Sequence, residues 1–151
     1  MADIEVSEDM NVTLVNVLAR RLESDSQENM HKSARMFETF LKREGLESFG
    51  PIIMKTNSAI VDNTTLIENE MMIQLRNAPK NVEDPYSFHE TLRLEGYLMA
   101  RYIGPLDMVE MATLKLKLYA FEKGINLGSA IYSVYVRGEN ETYVDVYQQV
   151  L

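Results

Sequence analysis

The sequence predicts an α+β fold, in which a duplicated β-α-β-β unit with pseudo-twofold symmetry forms an antiparallel sheet with two helices packed on one face. Three observations predict it. Two stretches have apolar residues at helical spacing, each of them ends at a glycine, and each follows one strand-like segment and precedes two more. The junction of strand and helix is clearest in YLMARYIGPLDMVEMA, residues 97–112.

The first repeat covers about residues 10–75. It begins with MNVTLVNVLAR, which is rich in β-branched residues and predicts a strand. Ser24 and Gln27 have capping-box spacing and predict a helix start, and Gly45 suits the C-terminal cap because glycine accepts a positive φ. A turn at Gly50-Pro51, the strand IIMK, the polar loop TNSAIVDNT and the strand TLIENEMMIQL are expected to follow.

The second repeat, about residues 92–151, follows the same order. The strand LEGYLMARYI leads to Gly104-Pro105, which predicts a helix with proline at its first position. Gly124 suits the cap of that helix, and the strands SAIYSVYV and TYVDVYQQV come after it. Short matches support a duplication: LAR at 18–20 with MAR at 99–101, KREGL with FEKGI, and EMMIQL at 70–75 with DVYQQV at 145–150.

The connection between the repeats has a different composition. Residues 76–91 contain two prolines and few aliphatic side chains, so they predict a linker. The 151 residues together are expected to form a single domain. Four methionines on the predicted helices are expected to fill its core: Met30, Met36, Met108 and Met111.

Composition narrows the class of partner. The formal net charge is −8, with 23 acidic against 15 basic residues, which argues against nucleic acid because DNA-binding domains present a basic face. No apolar run reaches the roughly 18–20 residues of a membrane span, the N-terminus lacks a signal peptide, and cysteine is absent. A cytoplasmic protein without a membrane contact is expected. His31 and His89 are isolated, so no metal and no cofactor is expected.

The second repeat also carries a family resemblance. YLMARYIGPLDMVEMATLKLKLYAFEKGI, followed by SVYV and ETYVDVYQQV, resembles the GyrI-like (gyrase-inhibitor-like) family, whose module serves as the effector-binding domain of AraC- and MerR-type multidrug regulators. The resemblance covers nearly the whole chain and implies binding of hydrophobic, often cationic, compounds; some relatives hydrolyse small electrophilic compounds. This chain has Gln74 and Gln149 where the family often has proline, and Asp145 where glutamate is more usual.

Strand alternation defines the candidate site. Glu70, Met72 and Gln74 share one face of their strand; Tyr143, Asp145, Tyr147 and Gln149 share one face of theirs, and the aliphatic faces are expected to pack beneath the helices. Tyr132 or Tyr135, and Tyr97 or Tyr102, would add aromatic walls suited to a flat cation. The ligand-binding residues chosen on this basis are Glu70, Met72, Tyr97, Tyr132, Tyr143, Asp145 and Tyr147. A simpler explanation of Asp145, an arginine or lysine opposite it on the neighbouring strand, stays open.

The function expected is that of a stand-alone effector-type domain, which binds a small amphipathic molecule, cations included, in a cleft between the two repeats. Two alternatives stay open. One is a non-catalytic adaptor or accessory protein that kept the fold and lost the pocket. The other is a small-molecule hydrolase with Glu70 or Asp145 as base and a tyrosine as proton donor. Binding is expected rather than catalysis, and exposed sheet edges allow a homodimer or a protein partner.

Overall fold

A computed structural model describes residues 3–22, 27–137 and 141–151. Within these residues the chain forms six strands and two α-helices: β1 (Asp3–Leu22), α1 (Gln27–Arg43), β2 (Ser48–Val61), β3 (Thr64–Leu75), β4 (Tyr86–Ile103), α2 (Glu110–Lys123), β5 (Leu127–Arg137) and β6 (Thr142–Val150). The pairs β1–β3, β2–β3, β4–β6 and β5–β6 are all antiparallel. The predicted α+β class is confirmed. No helix in the described part of the chain is long and apolar enough to cross a membrane.

The chain divides into two compact units. The α1 unit spans Thr13–Leu92, and the α2 unit combines Met1–Val12 with Arg93–Leu151. In the α1 unit β3 lies between β1 and β2, and in the α2 unit β6 lies between β4 and β5. The duplication, its pseudo-twofold symmetry and the single domain inferred from the sequence stay predictions.

Helix α1 covers one face of its strands. Phe37 and Phe40 are buried against Leu18, Leu22 and Leu75, and burial of such a side chain stabilises the fold by about 1.5–3 kcal/mol. The helix ends as expected at Gly45 (φ +63°), whose N–H donates to the Lys42 carbonyl. The proposed cap residue Ser24 lies outside the described residues.

Helix α2 packs in the same manner on β4 and β6. Its small or branched positions Ala112, Leu116 and Ala120 are buried with Val144 and Val146. The left-handed Gly124 (φ +68°) caps the helix as predicted.

The start of α2 differs from the prediction. Pro105 is extended (φ −61°, ψ 136°) and precedes a 3₁₀ turn, Leu106–Met108, so the α-helix begins only at Glu110. The Pro105 carbonyl accepts a hydrogen bond from the Met108 N–H, three residues later, at 3.0 Å. Proline is therefore not the first residue of α2, because its carbonyl closes a tighter turn first.

The predicted polar loop after IIMK is wrong. Residues 56–61 continue β2, and only Asp62 and Asn63 turn the chain, with φ of +51° and +62°. Positive φ at both central residues is the geometry of a tight two-residue hairpin. Gly50-Pro51 is not a turn either: it lies inside β2, where the register shifts between Phe49 and Ile53 and Gly50 has a φ of +76°.

Strand β4 begins at Tyr86, within the predicted linker 76–91. Tyr86 and Phe88 are partly buried while Ser87 and His89 are exposed, which is the alternation of a strand with one covered face. The two prolines of the segment precede the strand. Because prolines predict a loop, the sequence pattern placed the start of the strand too late. The segment without regular structure therefore ends before Tyr86.

The expectation for the helix methionines is also wrong where it can be checked. Met36, Met108 and Met111 are 45%, 48% and 44% exposed, and the side chain of Met30 is not described. Ala112, Leu116 and Ala120 occupy the contact of α2 with β4 and β6. The other apolar residues of the predicted stripe therefore stay outside that contact.

Candidate functional site

Five of the seven predicted ligand-binding residues lie in the α2 unit. Asp145 is paired across the strands with Arg101 and with Val134, and Tyr147 with Tyr132. Residues at alternate positions share a face, so one face carries Tyr97, Tyr132, Tyr143, Tyr147, Arg101 and Asp145. We call this set the tyrosine face. It lies opposite the valines that pack under α2.

The centre of the tyrosine face is an ion pair. Arg101 donates from Nε to Asp145 Oδ1 at 2.8 Å and from Nη2 to Oδ2 at 2.9 Å. Asp145 is buried, whereas the Arg101 side chain is 43% exposed. Its guanidinium carbon lies 4.4 Å from the centroid of the Tyr143 ring. Hydrogen bonding to Asp145 raises the pKa of Arg101, so the guanidinium stays charged at neutral pH.

The remaining tyrosines extend the aromatic surface along the same face. Tyr132 and Tyr147 are buried, and the rings of Tyr97 and Tyr132 are 6.1 Å apart at an angle of 58°. Burial raises the pKa of Tyr147, and the negative charge of Asp145 raises it further. The Tyr147 hydroxyl therefore stays protonated at neutral pH and can donate or accept a hydrogen bond.

The other two predicted residues, Glu70 and Met72, belong to the α1 unit. Met72 is buried and pairs with Ala19 and Ile53, and Glu70 is partly exposed and pairs with Arg21 and Lys55. The grouping of Glu70 and Met72 with the five residues of the tyrosine face stays a prediction.

The strand pairing shows which arginine of the α1 unit has the same kind of partner as Arg101 in the α2 unit. Arg21 pairs with Glu70 as Arg101 pairs with Asp145. A residue with positive φ precedes each arginine by five positions: Asn16 before Arg21 (21 − 16 = 5) and Gly96 before Arg101 (101 − 96 = 5). The match of LAR with MAR is therefore shifted by one residue.

The shift matters for Arg20, which sequence reasoning missed. Arg20 pairs with Met71, as Ala100 pairs with Val146 in the other unit, so a cation stands where a small core residue is found. Arg20 is only 5% exposed. The sequence does contain an indication of this position. Side chains at alternate positions of a strand share a face, so Arg20 places a charge on the apolar face of Leu18 and Leu22.

The described residues offer no metal site. Across 3–22, 27–137 and 141–151, no group of three or more His, Asp or Glu side chains is arranged to hold a metal ion. His31 on α1 and His89 on β4 are both exposed. Both oxygens of Asp145 accept a hydrogen bond from Arg101.

Solved structures share this fold. The C-terminal domain of EcmrR aligns with a TM-score of 0.69 at 14% identity, over 100% of this chain and 98% of that one. The cryo-EM structure of an EcmrR–DNA complex aligns with a TM-score of 0.67 at 14% identity, over 99% of this chain and 57% of that one. A hydrolase from Listeria innocua has a TM-score of 0.51 at 11% identity, over 98% and 91%.

No protein-family model matches the chain, and no curated protein matches its sequence. At identities this low, the structural likeness establishes a common fold and nothing more.

Proposed function

We propose that this protein is an effector-type domain that binds a small amphipathic molecule, cations included, on the tyrosine face. One observation carries the proposal: the Arg101 guanidinium lies between the Asp145 carboxylate and the ring of Tyr143. An aromatic face and a carboxylate are the two groups that bind flat organic cations. A cationic ligand would compete with Arg101 for them, and its apolar part would lie on the buried tyrosines.

The fold and the sequence resemblance support this proposal. The chain shares its fold with the C-terminal domain of EcmrR over 100% of this chain and 98% of that one. The GyrI-like resemblance of the second repeat implies small-molecule binding, and the tyrosine face is built from the strands that carry this resemblance, β4, β5 and β6.

A lipophilic cation tests the proposal. Rhodamine 6G is titrated into the whole chain by calorimetry, with Tyr143→Leu as the variant and Tyr135→Leu as the matched control, because Tyr135 packs against the core beneath α2. Loss of one cation–π contact is expected to raise the Kd by roughly 2–30-fold for Tyr143→Leu. Tyr135→Leu should keep the wild-type Kd.

Thermal unfolding is the measurement that could contradict ligand binding on the tyrosine face. A bound ligand must stabilise the folded state, by about 2.7 kcal/mol when its concentration is 100 times the Kd. Absence of any shift in Tm with rhodamine 6G and a neutral aromatic compound at high concentration would refute binding on the tyrosine face. Equal weakening by the two tyrosine variants would place the ligand elsewhere.

The interaction-protein alternative is favoured by the outer face of α2. Met111, Leu114, Leu118 and Phe121 are 44–85% exposed and follow one another at spacings of three, four and three residues. This spacing is that of the a and d positions through which helices pair. We call this set the α2 seam.

The charges beside the α2 seam suit a second copy of the chain. In a parallel helix pair, a g position meets the e position five residues later on the partner. Glu110 would then meet Lys115 of the second copy, and Lys117 would meet Glu122, so both contacts join opposite charges. All four side chains are exposed.

Sedimentation equilibrium tests this alternative. A dimer is expected to dissociate in Leu118→Glu, which places a charge on the seam, and to persist in Leu106→Glu, where the same substitution falls outside α2. Leu106 is 53% exposed, close to the 55% of Leu118. A wild-type monomer at the highest attainable concentration would contradict the seam as a dimer contact.

A further inference from the structure

A groove in the α1 unit contains an arginine to which the described residues offer no carboxylate partner. Arg20 lies on the strand face that α1 covers and is 5% exposed. Its Nη2 approaches Met36 Sδ at 3.5 Å, and its guanidinium carbon lies 5.1 Å from the ring centroid of Tyr86. Its Nε has no hydrogen-bond partner among the residues that the structure describes.

This environment is unfavourable for an isolated cation. A buried charge without an opposite charge or a full set of hydrogen bonds destabilises the fold. At the corresponding position the α2 unit has Ala100, which is fully buried in the core. The fold therefore does not require a charged side chain at this position. A residue that breaks the local pattern marks a candidate functional position, and a guanidinium with an unused N–H selects an anion.

Further cations line the same groove, which has a volume of about 520 Å³. Lys32, Arg35 and Arg43 line it from α1, with Arg43 also 3.6 Å from a carboxylate oxygen of Glu44, and none of its lining residues in the described part of the chain is acidic. The nearest acidic residue in sequence to the Pro85–Tyr86 wall, Asp84, is already bound by Arg21 at 2.8 and 2.9 Å. In a chain of net charge −8, this groove is therefore locally positive.

The rest of the lining is aromatic and apolar. The rings of Phe40 and Tyr86 stack with centroids 4.2 Å apart at 19°, and Met36, which is 45% exposed, adds a flexible thioether. Such a wall would bind the ring or chain of an organic ligand better than a small inorganic ion. The groove thus combines a charged end with an apolar surface.

We propose that this groove binds a small organic anion, whose carboxylate or phosphate accepts hydrogen bonds from Arg20 and whose aromatic or aliphatic part lies on Tyr86, Phe40 and Met36. Lys32 and Arg35 add charge at the entrance. The site shares no residue with the tyrosine face and would bind a ligand of the opposite charge. This inference therefore goes beyond the proposed function and does not depend on it.

Matched naphthyl compounds test ligand class. Binding of 2-naphthoate, 2-naphthyl phosphate, neutral 2-naphthylmethanol and inorganic phosphate to the whole chain is measured by calorimetry. At least one naphthyl anion is expected to bind about tenfold or more tightly than the alcohol, because a hydrogen bond to a charged group is lost in the alcohol. The tighter of the two anions identifies the acid group. Neither anion binding more tightly than the alcohol would overturn the proposal, and so would equal binding by inorganic phosphate.

Variants test the residues. Arg20→Met keeps an unbranched apolar side chain and is expected to abolish anion binding while raising the Tm of the ligand-free protein, because an unpaired buried charge is removed. Lys32→Gln with Arg35→Gln, both at exposed positions, should weaken binding several-fold and reduce its dependence on salt. Arg93→Gln, at an exposed position of the other unit, removes one positive charge as Arg20→Met does and is the control for that variant. Wild-type affinity in Arg20→Met would overturn the proposal.

Discussion

Asp145 shows how far a single residue can be interpreted from sequence. Alternation along β6 identified its face, and its poor β propensity marked it as unusual. The arginine opposite it was among the explanations left open, and the structure shows that pairing. Which arginine it is could not be predicted, because the register between β4 and β6 joins residues 44 positions apart.

Removal of the Asp145 charge is expected to destabilise the fold. Asp145→Asn leaves Arg101 with a weaker acceptor on a buried face, and a loss of about 1–2 kcal/mol in the free energy of unfolding is expected, because half of Arg101 remains hydrated. The control is Asp84→Asn, which breaks an ion pair of 55% and 74% exposed side chains and should cost clearly less, because water screens exposed charges. Urea denaturation measures both. Equal losses would mean that burial does not strengthen the Arg101–Asp145 pair.

The same substitution separates charge from shape in ligand binding. If a cation displaces Arg101 from the carboxylate, Asp145→Asn should weaken rhodamine 6G by roughly 1–3 kcal/mol. A neutral aromatic compound of similar size should bind nearly as before, because asparagine and aspartate have almost the same volume. Calorimetry measures the affinity of both ligands for the wild type and for Asp145→Asn. Equal losses of affinity for the two ligands would show that the charge of Asp145 plays no part.

At the level of the element, helix ends were easier to predict than helix faces. Gly45 and Gly124 end their helices for a local reason, the positive φ that glycine adopts freely. The buried face of α2 depends on which strands lie beneath it, and apolar residues also occur outside that face, so the sequence alone assigned Met111 to the wrong side.

Truncation of the two faces of α2 should have very different effects. Leu116→Ala removes a fully buried side chain and is expected to lower the free energy of unfolding by about 2–5 kcal/mol. Leu118→Ala is the matched control: its side chain is 55% exposed, and a change within about 0.5 kcal/mol is expected. Both are measured by urea denaturation at a protein concentration where the chain is monomeric. A large loss in Leu118→Ala under that condition would show that the outer face of α2 is covered within one molecule.

The outer part of β2 and its tight turn into β3 were missed for a different reason. Residues 58–68 are exposed on both faces, so no alternation of apolar and polar side chains marks the strands there. The paired backbone holds the hairpin together, and the turn residues Asp62 and Asn63 are its only local sequence signal.

For the whole molecule, average charge proved a poor guide to local chemistry. The net charge of −8 argues against a basic nucleic-acid face, and the absence of a nucleic-acid partner stays a prediction. The groove beside α1 is nevertheless positive over its described lining, because Arg20, Lys32 and Arg35 line it and no acidic side chain does. Composition sums over the chain, whereas recognition depends on a few side chains that the fold brings together.

Tyrosine ionisation is expected to limit stability at high pH. Burial raises the pKa of Tyr102 and Tyr135, and both burial and the charge of Asp145 raise that of Tyr147. In the unfolded chain each titrates near its usual pKa of about 10. Above this pH the unfolded state loses protons that the folded state retains, so the free energy of unfolding falls as pH rises, while below it the contribution is fully present.

Urea midpoints measured from about pH 8 to about pH 11, with phenolate absorbance recorded on the folded protein, test this expectation. The midpoint should stay level at first and then fall as the pH passes about 10, and part of the phenolate signal should appear only on unfolding. Tyr102→Phe should reduce the slope of that fall, because one buried hydroxyl no longer titrates and the Pro105 carbonyl is its only hydrogen-bond partner among the described residues. A midpoint that stays constant up to pH 11, or complete phenolate formation before unfolding, would contradict the raised pKa values.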